Sequence, residues 1–375
     1  MSKRSLLSHL QEIEDPRQSA KCTHNFAEVM FMSICGILCG ADDWNSIALF
    51  AQTREGWFRQ HLTLPGGIPS HDTFNRMFSL LDPKAFRTLF ITWVQDVMVG
   101  SGLSGTVAID GKTVKGSAWN KGKDAIHMVN AWSTDLGMAV GQYKVDGKSN
   151  EITAIPKLLA LLELQGCLVT LDAMGCQKRI ADSILKRGAD YLLAVKANQK
   201  SLHKEVAEYF DRYWENTPED APGPVFAERA EHQHGRQEHR RCWVLNEPSA
   251  LATAKRWQAK TVAAVQLDRQ DARKGDTMIR YYISSRTLTA QEVLAATREH
   301  WQVENCLHWV LDVAFDEDRS RARQGFAAEN LATARQIVLN LLKQDTTHKV
   351  GIKNKRKACG WDLDYMLKVL GEIKM

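Results

Sequence analysis

The 375 residues are 44% hydrophobic and 25% charged, the composition of an ordinary globular chain long enough for two or three domains. The net charge of +5, from 49 basic and 44 acidic residues, neither demands nor excludes a nucleic-acid partner, so local clusters carry more information than the total. None of the eight cysteines forms a Cys-x-x-Cys pair, and the longest apolar run, residues 29–39, is well short of the roughly 20 residues that span a bilayer, which predicts a cytoplasmic protein with reduced thiols.

Residues 1–98 read as an all-helical N-terminal domain, a candidate for DNA binding. Apolar residues recur at helical spacing over residues 26–38 and 44–58. Ser70 is placed to cap a helix through Phe74, Met77 and Leu80 that Pro83 stops, and a fourth helix is expected over residues 86–98. Segments 44–61 and 70–81 have the lengths of a helix-turn-helix; a plain helical bundle is the alternative. A glycine-containing linker follows at residues 100–105.

From Thr106 the pattern turns to short β-branched runs. Strands are predicted at 106–109, 126–133, 138–145, 167–171 and 191–195, and helices at 151–164 and 177–187. The order β-β-β-α-β-α-β implies a mixed sheet with helices packed on it and the first and fourth strands side by side. This α/β core occupies residues 105–205 in its first part. Residues 206–288 read as a β-rich insertion, 289–345 as the second part of the core with a long helix, and 346–375 as a basic C-terminal tail.

Asp110 and Asp172 fall at the predicted carboxyl ends of the first and fourth strands, where open α/β sheets place ligands. Two neighbouring carboxylates repel unless a cation lies between them, and Mg²⁺, which accepts a few carboxylates and leaves room for a phosphate, suits that position. On the helix after Thr289, His300, Glu304 and His308 stand four apart and Asp312 continues the stripe. Periodicity leaves open whether this face is solvated or walls a site.

The segments Ala108-Ile109-Asp110-Gly111-Lys112-Thr113, Ser149-Asn150-Glu151-Ile152-Thr153-Ala154-Ile155-Pro156, Asp172-Ala173-Met174-Gly175-Cys176-Gln177, His234-Gly235-Arg236-Gln237-Glu238 and His300-Trp301-Gln302-Val303-Glu304-Asn305 resemble, in this order, those of the ISAs-type, or H repeat-associated, insertion-sequence transposases of the DDE superfamily. The resemblance runs from about Asp15 to the C-terminus. It implies an RNase H-like catalytic core and a triad of Asp110, Asp172 and Glu304 that binds two Mg²⁺ or Mn²⁺ ions. It also implies cleavage at element ends with strand transfer to target DNA, double-stranded DNA as partner, a homodimer or larger synaptic assembly, and a prokaryotic, nucleoid-associated setting. Related transposases carry an Arg four residues before the catalytic Glu and a Lys seven after; here these positions hold His300 and Leu311. Arg298, His308 or Arg319 are the candidates for those phosphate-binding roles, His300 is a further candidate DNA contact, and Asp312 is the rival to Glu304.

Further basic residues are candidate DNA contacts: Lys112 and Lys115 with Lys121 and Lys123 in the same cluster, Lys196, Arg236, and the tail cluster Lys349, Lys353, Lys355, Arg356 and Lys357. Gly111-Lys112-Thr113 does not complete a phosphate-binding loop, because the required earlier glycine position is Thr106. Cys176 lacks an identifiable base, and His232 with His234 suits an exposed strand edge better than a metal site. Two alternative readings remain: an inactive or domesticated transposase that only binds DNA, and an RNase H-like nuclease without strand transfer, against which the helical domain and the insertion argue.

Overall fold

The computed structural model describes residues 4–18, 22–98, 102–119, 124–147, 149–216, 224–233, 236–270 and 275–371. Its centre is a nine-stranded mixed sheet. The strands are β1 (Thr106–Val114), β2 (Ile126–Ser133), β3 (Met138–Lys144), β4 (Leu168–Leu171), β5 (Asp190–Val195), β6 (Val225–Gln233), β7 (Arg236–Asn246), β8 (Thr261–Gln270) and β9 (Gly275–Ser284). Their order across the sheet is β3-β2-β1-β4-β5-β9-β8-β7-β6. β1 and β4 are parallel neighbours, as are β4 and β5, and both are covered on their two faces, which is why Val107, Ala108 and Ile109 and all of β4 are buried apolar or β-branched residues. With helical elements before and against it, this is the RNase H-like α/β arrangement that the resemblance implies, and its strands follow the order read from the sequence.

Two expectations change. β1 does not end at Asp110 but continues to Val114, because its antiparallel pairing with β2 runs on through Gly111–Val129, Lys112–Met128 and Thr113–His127. Only the β4 side stops at Ile109. The β-rich segment also does not stand apart: β9 pairs antiparallel with β5, so β6–β9 extend the core sheet as a meander.

The N-terminal helices are Phe26–Leu38, Trp44–Thr53, Glu55–Phe58, His71–Leu80 and Pro83–Val97, preceded by the short Leu6–Leu10. Each long one begins at a side-chain cap: Asn25 accepts from the Glu28 amide, Asp43 from Ser46, Ser70 from Thr73 and Asp82 from Lys84, with Pro83 at the first helical position. The chain between Trp44–Thr53 and His71–Leu80 covers residues 54–70, far longer than the 3–4-residue turn of a helix-turn-helix, so these two helices pack together without forming that motif. Their core is shared with a distant helix, Ala327–Gln344, which is buried along nearly its whole length and packs against Phe26–Leu38, His71–Leu80, Pro83–Val97 and β3.

The C-terminal stretch folds as two helices, Ile352–Trp361 and Leu363–Leu370, against this bundle. Lys355 is buried, donating to the carbonyls of Leu342 and Asp345. Arg356 is buried as well, donating to the carbonyls of Ile37 and Ala314 and pairing with Asp42 at 2.6 Å. Both are therefore tied into the fold and not available to DNA, whereas Lys349, Lys353 and Lys357 are exposed. Among the described residues no helix is long and apolar enough to cross a membrane.

Candidate active site

Asp110 sits on β1 one residue beyond the last β4 pairing, where the parallel neighbour has turned away and left room for a carboxylate. Asp172 follows β4 directly; one carboxylate oxygen accepts from the amides of Met174 and Gly175, a turn that fixes its direction. The third acid arrives on the helix Ala290–His300, which opens with a capping box between Thr289 and Glu292. That helix does not run on unbroken. It passes through a π-helical turn, Val303–His308, before resuming as Trp309–Phe315, and Glu304 lies in the π turn.

The polar stripe on this segment faces the sheet, strand by strand. The His300 ring meets the Thr170 hydroxyl of β4 at 3.0 Å, and His308 meets Asn130 of β2 at 3.1 Å. Asp312 accepts from Lys112 of β1 at 2.7 Å. Glu304 projects into a cleft of about 330 Å³ that Asp110, Asp172, Lys196, Arg280 and His300 also line. Ligand atoms of Asp110, Glu304 and His308 lie within 4.8 Å of one another, and Asp172 shares the cleft wall. The hard carboxylate oxygens of Asp110 and Glu304 at this spacing fit a divalent cation, with Asp172 outside that close group.

The electrostatics agree with that chemistry. Burial, reinforced by the negative charges of Asp172 and Glu151 and opposed by His308 and the Gly111 amide, pushes the Asp110 carboxyl up to about 6. Glu304 is held below its usual range chiefly by its hydrogen bond from His308. Among the described residues, no lysine or arginine ion pair reaches Asp110, Asp172 or Glu304. Gly111 is needed beside them, because a side chain there would collide with the Glu151 carboxylate and the His127 ring, themselves paired at 2.6 Å.

The candidate DNA contacts separate on structural grounds. Lys112 is buried, its ammonium 2.7 Å from Asp312 and 3.5 Å from both Glu317 and Asp318; three carboxylates leave it nothing to offer a phosphate. His308 is likewise buried between Glu304 and Asn130. Burial pushes His300 down to about 4, so at neutral pH it is an uncharged hydrogen-bonding group. Arg298 turns to Glu231 at 3.4 Å, and Lys115, though exposed, pairs with Asp318 at 2.7 Å. Arg319 is exposed, with Asp316 at 3.6 Å. Lys196 is exposed on the cleft rim. Lys121, Lys123 and His234 lie outside the described residues, as does the Arg236 side chain. Arg280, on β9, was missed by sequence reasoning; it enters the cleft only because β9 pairs with β5, and its guanidinium lies 5.6 Å from the Trp301 ring centre.

Comparison with known proteins identifies the family. A profile described as "Transposase DDE domain" matches residues 102–341, more than half of the chain, and a DDE_Tnp_1-associated profile matches residues 7–94. The chain is 42% identical to "Putative transposase YncI" of Escherichia coli O157:H7, over 99% of this chain and 95% of that protein. It is 38% identical to "H repeat-associated putative transposase YhhI" of Escherichia coli K12, over 99% and 98%. A solved piggyBac transposase synaptic complex with hairpin DNA aligns over 99% of this chain and 80% of that one, with a TM-score of 0.45 and 11% identity. The chain therefore belongs to the ISAs-type, H repeat-associated transposases of the DDE class, and is a DNA-processing, DNA-binding protein of that family.

Proposed function

We propose that this transposase cuts DNA at the ends of an insertion element and joins the freed 3′ ends to target DNA by direct phosphoryl transfer, with Asp110, Asp172 and Glu304 holding two Mg²⁺ or Mn²⁺ ions. The observation that carries the reading is the convergence of three carboxylates, from β1, from the turn after β4 and from the π turn, on one cleft where no lysine or arginine among the described residues pairs with them. Divalent ions held by these three carboxylates would supply Lewis-acid activation of an attacking hydroxyl and stabilisation of the leaving oxygen. The residues of the chain do the rest. The Met174 and Gly175 amides orient Asp172, and Lys196 and Arg280 on the rim take the DNA phosphates beside the reacting one. No side-chain nucleophile is required. Cys176 is buried and burial raises its thiol to about 12, which suits packing and not catalysis.

The test is cleavage and joining of DNA carrying the inverted repeats that flank the gene, with native electrophoresis of the protein–DNA complex for a dimer or larger synaptic assembly. Cutting is expected with Mg²⁺ or Mn²⁺ and none in EDTA. Undiminished cutting in EDTA removes the metal-dependent reading.

A further inference from the structure

His308 belongs to neither the three carboxylates nor the rim cations, yet it is deeply enclosed in the site, with 3% of its side chain exposed. Its Nδ1 lies 3.0 Å from a Glu304 carboxylate oxygen and 3.7 Å from one of Asp110. On distances alone the ring could complete a three-ligand metal site with those two acids. The other side of the ring decides against that. Nε2 lies 3.1 Å from the amide nitrogen of Asn130, whose oxygen accepts a hydrogen bond from Gln336 at 2.7 Å and whose NH₂ also points at the Met128 carbonyl. The reversed amide would set oxygen against that carbonyl. An NH₂ group only donates, so Nε2 must accept, and a proton on Nε2 would face the amide hydrogens. The ring proton is therefore on Nδ1, the nitrogen that faces the two carboxylates.

We propose that His308 is a positioning residue: its Nδ1–H, set by the Asn130–Gln336 chain behind it, holds Glu304 toward Asp110, and the ring is not itself a metal ligand. The proposal rests on the reading of Glu304 as a metal-binding carboxylate. Glu304 needs such a restraint, because its side chain is half exposed and stands on a π turn, while Asp110 is fixed by its strand. This is the outer-shell role in which a buried donor orients a ligating carboxylate. It also gives the helix and β2 a shared duty: β2 contributes no acid to the cleft, yet through Asn130 it selects the tautomer that aims one.

Two measurements on the full-length protein test this. Long-range ¹H–¹⁵N spectra of the imidazoles, with His308 assigned by the signal absent in His308→Asn, are expected to show Nδ1 protonated and Nε2 bare. The opposite tautomer overturns the proposal whatever the site binds. Mn²⁺ binding, read from the electron paramagnetic signal of free Mn²⁺, uses the geometry of the amides. Asn places its NH₂ where Nδ1–H was, and Gln places its own near Nε2. His308→Asn is expected to bind Mn²⁺ close to wild type, and His308→Gln and His308→Ala about 10- to 100-fold more weakly, the usual cost of losing an outer-shell partner. Equal losses in the Asn and Gln variants mean that a ring nitrogen is a ligand and overturn the proposal. Failure of the underlying reading looks different: Glu304→Gln then binds Mn²⁺ as tightly as wild type, with the tautomer unchanged.

Discussion

Two charged clusters lie side by side along β1 and teach opposite lessons. Asp110 and Lys112 are two residues apart on one strand, so both point at the same helical layer. Around Lys112 the charges balance: Lys112, Lys115 and Arg335 answer Asp312, Glu317 and Asp318 at 2.7 to 3.7 Å. Around Asp110 they do not, since Asp172, Glu304 and Glu151 add negative charge with no lysine or arginine pair among the described residues at the three acids of the cleft. The first cluster is complete as folded and acts as a joint between the strand and the helices. The second carries unbalanced negative charge, and it is on that imbalance that we propose it as the cation-binding site.

The comparison can be broken most directly at the acids. Asp110→Asn, Asp172→Asn and Glu304→Gln are each expected to reduce cleavage of terminal-repeat DNA to background while binding of that DNA persists. Asp312→Asn should keep substantial cleavage, since Asp312 belongs to the balanced cluster. Loss of cutting only in Asp312→Asn would exchange the roles of the two clusters. Next come the buried cations. Removing one partner of a buried ion pair costs about 3–5 kcal/mol. In denaturant titrations Lys112→Ala and Arg356→Ala should each lower the unfolding free energy by about that amount, whereas Lys353→Ala should leave it unchanged.

Metal and pH sharpen the contrast. Asp110 has its pKa raised to about 6, above the unfolded value, so in metal-free protein it contributes stability at low pH that is lost as pH rises from about 4 through 6. A bound cation reverses this, because it favours the charged carboxylate. Thermal melting with Mn²⁺ should therefore show a larger rise at pH 8 than at pH 5, approaching about 2.7 kcal/mol of stabilisation at a hundred times the dissociation constant. The rise should vanish in Asp110→Asn. The smallest effect belongs to the exposed tail lysines. Changing Lys349, Lys353 and Lys357 together to Ala should lower the salt slope of DNA binding by about 0.9 for each phosphate no longer neutralised, without altering sequence preference. An unchanged slope would leave them as a solvated helix surface.

Much of the site was legible in the sequence because it depends on local rules. The strand order placed β1 beside β4, a four-residue repeat put His300, Glu304 and His308 together, and the caps at Ser70 and Thr289 fixed where helices start. What was not legible depends on partners far away in the chain. Nothing near Lys112 announces Asp312, 200 residues on, and Lys355 and Arg356 look like a solvated basic run until Leu342, Ile37 and Ala314 are seen to receive them. Arg280 was hidden for the same reason, since the pairing of β9 with β5 closes over the long excursion that carries β6–β8. A basic cluster in sequence shows charge; only the fold shows whether that charge is already spent.

The π turn has a consequence for how this helix tolerates change. In a regular α-helix, with about 100° per residue, His300 and Asp312 would differ in direction by about 120°. One extra residue taken up in a π turn reduces the offset to about 20°, which lets both ends dock on the same sheet, His300 on Thr170 and Asp312 on Lys112. The segment works as a vernier between two fixed docking points. Inserting one more residue into 303–308 would add about another 100° and turn Asp312 away from its lysine, whereas deleting one residue after Glu304 would let the helix straighten with His300 and Asp312 still in register. Point substitutions on the outer face are thus expected to be mild, and frame-preserving insertions within these six positions to be the lesion this part of the chain does not survive.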